Sequence, residues 1–113
     1  MHELSLADTM IREIEQILDR EKAEKVYSVT VLMGRLSGVE KEPFEFAFPI
    51  VSEGTRVEGS KLIIERVSAA VKCDECQAET ELDVPYAKCG SCNSRKVKFI
   101  RGREFIIKSL EIE

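Results

Sequence analysis

The sequence predicts an α+β fold: helices packed on a small mixed or antiparallel sheet, with an inserted four-cysteine module of the zinc-ribbon kind. Three observations predict it. An early segment repeats apolar residues at helical spacing, three later runs are rich in β-branched residues, and two C-x2-C pairs lie between the last two of those runs. The expected division is residues 1–70 plus 104–113 as the helix–sheet domain and 71–103 as the metal-binding module.

Each element has its own reason. Ser5 and Asp8 make an S-x-x-D capping box. Ala7, Met10, Ile11, Ile14, Ile17 and Leu18 then form one apolar stripe, so a helix is expected over residues 6–21, leaving 1–4 outside it. "VYSVTVLMG" (26–34) reads as a strand that stops at glycine. In "EKEPFEFAFPIV" (40–51) Pro43 suits a first helical position, and Phe44, Ala47, Phe48 and Val51 share a face. Pro49 predicts that this helix is short, kinked or broken. "SKLIIERVSAAV" (60–71) reads as one strand, "AETELDV" (78–84) as half of a polar hairpin, and "REFIIKSLEIE" (103–113) as a closing strand.

Apolar residues make up 43% and charged residues 34%, an ordinary balance for a globular domain. The net charge of −4 gives no global field that would favour nucleic acid or an anionic membrane. No apolar run is long enough to span a bilayer, and no secretory signal is visible. A cytoplasmic location is the expectation, and there thiols stay reduced and serve metals rather than disulfides.

Cys73 and Cys76 form one C-x2-C pair, twelve residues follow, and Cys89 and Cys92 form the second. Each pair can present two thiolates to one tetrahedral Zn²⁺; an iron–sulfur centre is the alternative. Four protein thiolates close the sphere, so the ion would be structural. Gly90 is expected to supply a turn with freedom in φ.

The only histidine is His2. The α-amine of Met1, the amide nitrogen of His2 and its imidazole Nδ1 would close adjacent five- and six-membered chelate rings. Such a planar, nitrogen-rich set suits Ni(II) or Cu(II), with Cu(II) bound more tightly for the same ligands. The plainer reading is a solvated side chain on a loose end.

"MHELSLA" at the start, the C-x2-C pair, the later C-G-S-C pair and the closing "GREFIIKSLEIE" together resemble the HypA/HybF family of nickel-incorporation proteins for nickel–iron hydrogenase maturation. The resemblance covers the whole chain. It implies Ni²⁺ at Met1, His2 and Glu3, with His2 the essential ligand, and structural Zn²⁺ at Cys73, Cys76, Cys89 and Cys92. Glu40, in the loop after the first strand, is a further candidate if that strand ends beside the terminus. The resemblance also implies a metallochaperone, not an enzyme, working as a monomer or weak homodimer. Its partners would be a HypB-type GTPase, the hydrogenase large-subunit precursor and, for some members, urease maturation proteins.

Two other classes compete. Arg95, Lys96, Lys98, Arg101 and Arg103 suggest a nucleic-acid-binding zinc ribbon, but Glu79, Glu81, Asp83 and the acidic total oppose it. An enzyme lacks its parts: "MGRLSG" has no Lys-Ser/Thr to complete a phosphate loop, and a lone histidine beside a chain end has no carboxylate to orient it for nucleophilic catalysis. Neither nucleic acid nor a membrane is expected as a partner.

Overall fold

The computed structural model describes residues 2–84 and 87–113. Its elements run α1 (His2–Glu21), β1 (Val26–Gly34), α2 (Lys41–Ser52), β2 (Lys61–Val67), β3 (Ala69–Cys73), β4 (Glu79–Leu82), β5 (Val97–Arg101) and β6 (Phe105–Ile112). The strands form two three-stranded sheets, ordered β2-β1-β6 and β4-β3-β5. This is the α+β architecture expected, with one sheet more than the sequence suggested.

The chain divides into two compact units, Met1–Val31 with Val39–Ile64 and Ile107–Glu113, and Leu32–Gly38 with Glu65–Ile106. The second is wider than residues 71–103, because β3 is already under way at Ala69 and the turn after β1 belongs with it.

In the first unit α1 and α2 pack together. Ala7, Met10, Ile11, Ile14 and Leu18 are buried as the stripe predicts, with Phe44, Ala47 and Phe48 of α2 and Val26, Val29 and Val31 of β1. Helix α1 starts at His2, four residues earlier than expected, so Ser5 is an exposed helical residue and not a cap. The first turn is favoured by Glu3, whose negative charge suits a helix N-terminus. At the other end Ala23 N–H donates to Leu18 O at 2.9 Å with Lys22 at φ 55°, a Schellman-type stop.

Helix α2 runs unbroken through Pro49, and Pro43 is its third residue rather than its first. Pro43 costs nothing there, since first-turn amides have no intrahelical acceptor. Pro49 removes one helical hydrogen bond, a loss offset by burial of Phe44 and Phe48, whose rings lie 6.0 Å apart. Arg56 ties the following loop to α1: its guanidinium bonds Glu15 and, at 2.7 Å, Asp19, and its amide donates to Glu15 at 3.0 Å.

In the second unit β3 is central and antiparallel to both neighbours, pairing Lys72 with Glu79 and with Lys98. The run read as one strand over 60–71 is two strands in different sheets, interrupted at Ser68. The chain is tightly packed beside the interruption. Gly102 sits against Ala69 so closely that a Cβ on it would lie 2.2 Å from Ala69 Cα. Leu36 N–H also donates to Gly102 O at 2.7 Å, and Arg35 N–H to Val67 O at 2.8 Å. Strand β5 was not expected; its alternation of half-buried Val97 and Phe99 with exposed Lys98 and Ile100 is hidden in a basic run.

Candidate metal centre

The first C-x2-C pair ends β3 and opens a tight turn; the second sits on an equivalent turn ahead of β5. The two are built alike. Glu75 and Cys76 amides donate to Cys73 Sγ at 3.3 and 3.4 Å, and Ser91 and Cys92 amides to Cys89 Sγ at the same distances. Gln77 N–H then closes on Cys73 O at 3.1 Å with φ 66°, and Asn93 N–H on Cys89 O at 3.0 Å with φ 63°. The left-handed residues are therefore Gln77 and Asn93, not Gly90. Gly90 serves space instead: a Cβ there would lie 3.2 Å from Thr80, whose hydroxyl accepts the Gly90 amide at 2.9 Å.

All four sulfurs lie within 4.8 Å of one another, none in a disulfide. Cys73 Sγ is 3.6 Å from Cys92 Sγ, and Cys76 Sγ 3.5 Å from Cys89 Sγ. A tetrahedron with Zn–S bonds of about 2.3 Å has edges of about 3.8 Å, so one tetrahedral ion fits with little adjustment. Several iron atoms would need a wider set of thiolates.

The amides also set the charge. Cys89 is drawn down to about 6 by the Cys92 amide and then by that of Ser91, and Cys73 is lowered chiefly by the Cys76 amide. At Cys76 and Cys92 the amides of Ala78 and Ser94 favour thiolate but are outweighed by thiol–thiol contacts and burial, which leave both raised and Cys92 at about 12. One thiol of each pair is thus readied as a ligand, and capture of a cation drives off the remaining protons.

At the other candidate site, the His2 side chain is 64% exposed and its Nδ1 lies 4.0 Å from Glu3 Oε2. That oxygen also accepts the Glu40 amide at 3.2 Å. The loop after β1 does reach the start of α1, but through the main chain of Glu40 capping α2 onto Glu3. With ligand bonds of about 2.0–2.2 Å, two donors of one ion lie within about 4.4 Å, so imidazole and carboxylate can share one. Met1 lies outside the described residues.

Residues 1–112 match a family model described as "Hydrogenase/urease nickel incorporation, metallochaperone, hypA". The chain belongs to the HypA family. It is 40% identical over 112 residues to the hydrogenase maturation factor HypA of Nitrosospira multiformis, covering 99% of this chain and 97% of that one. To the HypA of Chlorobium limicola it is 34% identical over 113 residues, with 100% and 97% covered. The solution structure of the nickel metallochaperone HypA from Helicobacter pylori superposes with a TM-score of 0.74 at 27% identity, over 97% of this chain and 96% of that one. HypA-family proteins are nickel metallochaperones for hydrogenase maturation, and this one is a maturation factor, not an enzyme. No helix among the described residues is long and apolar enough to cross a membrane.

The basic run that suggested nucleic acid is partly engaged within this HypA-family chain. Lys96 meets Glu75 at 3.8 Å, Arg101 meets Glu81 at 3.5 Å, and Arg103 lies 4.8 Å over the Phe99 ring. The contact that sequence reasoning missed is Glu3 with the Glu40 amide. Its only signal was an acidic residue beside His2, which a ligand reading absorbed.

That contact has a pH signature. The Glu40 amide holds the Glu3 carboxyl below its ordinary 4.5. A lowered folded-state pKa gives stability that is complete above the unfolded value and lost as pH falls through the folded one. The stability gap between the native chain and Glu3→Gln should therefore stay constant from neutral pH down to about 5 and shrink below 4.5. Thermal melts of both proteins across that range test it; a gap that grows on acidification contradicts the assignment.

Proposed function

We propose that the chain takes up Ni(II) at the start of α1 and passes it to the nickel–iron hydrogenase large-subunit precursor, with a HypB-type GTPase supplying the nucleotide chemistry for which this sequence has no phosphate loop. His2 is the principal ligand, through Nδ1 and its amide nitrogen, joined by the amine of Met1 and by Glu3. Residues 1–70 plus 104–113 act as the nickel-binding domain. Residues 71–103 serve as the zinc-binding segment within the wider second unit, with Zn²⁺ on Cys73, Cys76, Cys89 and Cys92 as a structural ion. Glu40 acts through its main chain, holding Glu3 in place.

The observation that carries the reading is an exposed imidazole on the first residue of a helix, 4.0 Å from an anchored carboxylate. First-turn amides lack an intrahelical acceptor, so the His2 amide can give up its proton without breaking a helical hydrogen bond. The helix N-terminus carries about half a positive charge, which eases that deprotonation and disfavours a bare dication. Nickel is thus held through the deprotonated amide and freed when the amide regains its proton, which suits a carrier that must let go.

His2→Ala tests the assignment. Equilibrium dialysis followed by metal analysis should show nickel lost at least tenfold in affinity, with zinc retained. Nickel bound as tightly by His2→Ala as by the native chain contradicts it.

A further inference from the structure

The first turn of α1 and the outer face of α2 enclose a groove of about 300 Å³, lined by Glu3, Leu4, Pro43, Phe46, Ala47 and Ile50. Phe46 is 74% exposed and Ile50 48% exposed. Neither joins the core that Phe44 and Phe48 build on the other side of the same helix. Pro43, Phe46, Ala47 and Ile50 stand at helical spacing, so a second apolar stripe runs along α2. The expected helix pattern of Phe44, Ala47, Phe48 and Val51 shares only Ala47 with it. A contiguous apolar strip with a polar rim is the form that a helix-accepting groove takes.

Charge says what covers it. From 40 to 53 the chain carries four acidic side chains, Glu40, Glu42, Glu45 and Glu53, against the single base Lys41, and Glu3 adds a carboxylate to the lining. Glu42, Glu45 and Glu53 are exposed. A second copy of this chain is a poor occupant, because it would bring the same acidic rim. Its basic run around β5 is partly engaged within the chain, Lys96 with Glu75, Arg101 with Glu81 and Arg103 with the Phe99 ring. We infer that the groove is a docking site for a segment of a different protein, carrying apolar anchors at helical spacing flanked by lysine or arginine. The inference rests on the groove and its charge, so a chain that lost nickel at His2 would still bind such a segment.

The test uses the full zinc-loaded chain and two labelled synthetic helical peptides with leucines at positions i, i+3, i+4 and i+7. One is lysine-flanked and the other glutamate-flanked. The lysine peptide should bind by fluorescence anisotropy, weaken as salt is raised, and shift the amide resonances of Glu3, Leu4, Phe46, Ala47 and Ile50. Phe46→Ser, and separately Glu42→Lys with Glu45→Lys, should each lower its affinity about tenfold or more with circular dichroism unchanged. Ile50→Ser is the second apolar variant should Phe46→Ser disturb the fold. No binding of the lysine peptide, equal binding of both peptides, shifts centred elsewhere, or folded serine variants without effect would each overturn the proposal. So would concentration-dependent shifts of the same amides without peptide, which would mean that a second copy fills the groove.

Discussion

Replacing Cys89 with serine is expected to unfold the β4-β3-β5 sheet while α1, α2 and their core stay folded. The reason is how little else holds that sheet. Among the described residues, the fully buried apolar side chains in its unit are Met33, Ala69, Ala70, Val71, Cys73 and Cys89, and of these Met33 and Val71 are the sizeable hydrophobes without a thiol. Burying each contributes about 1.5–3 kcal/mol. Ordering each backbone residue costs about 1–2 kcal/mol, so two such side chains cannot hold a segment of this length. A structural zinc site in a small module supplies on the order of 10–16 kcal/mol at neutral pH, more than those two side chains together. Cys89 is also the thiol most strongly readied as thiolate, by the Cys92 and Ser91 amides. Metal analysis should show zinc lost from Cys89→Ser, and amide exchange should accelerate across 69–101 but not across the α1 stripe. Unchanged zinc content with unchanged exchange would mean that the sheet stands on its own packing.

The second large effect lies at Gly102. Its φ is +100°, and an added Cβ would stand 2.2 Å from Ala69 Cα, 2.5 Å from Ala69 Cβ and 2.8 Å from Ala69 N. Two of those atoms are backbone and cannot swing aside. Gly102→Ala should therefore cost about 3 kcal/mol or more, combining a forbidden backbone with overpacking. The melting temperature should drop by about 10 °C or more. Gly38 isolates the backbone part: its φ is +84°, yet nothing lies within 4 Å of its Cβ position. Gly38→Ala should cost only about 1 kcal/mol. Equal melting temperatures for the two variants would show that the approach to Ala69 is not constraining.

What the sequence made legible was what local pattern determines. The stripe from Ala7 to Leu18 is buried because helical period alone fixes one face, and the four cysteines converge because each C-x2-C turn is local. Most of the misses trace to contacts between residues far apart in the chain. Ser5 looked like a cap because nothing near it reveals that Glu3 will accept an amide 37 residues away. The run over 60–71 splits at Ser68 between two sheets, because its halves pair with different strands far away in the chain, which local pattern does not mark. Strand β5 was masked by charges that serve its own sheet, as Arg101 does with Glu81. The left-handed turns fell to Gln77 and Asn93, where no glycine marked them.

The most direct test of the nickel assignment leaves every side chain in place. Nickel affinity and zinc content are measured on the native chain with a free Met1 amine and on the same chain with that amine acetylated. The amine–amide–imidazole chelate predicts that acetylation weakens nickel at least tenfold and leaves zinc untouched. Equal nickel affinity in the two forms would place the metal elsewhere and leave His2 a solvated side chain.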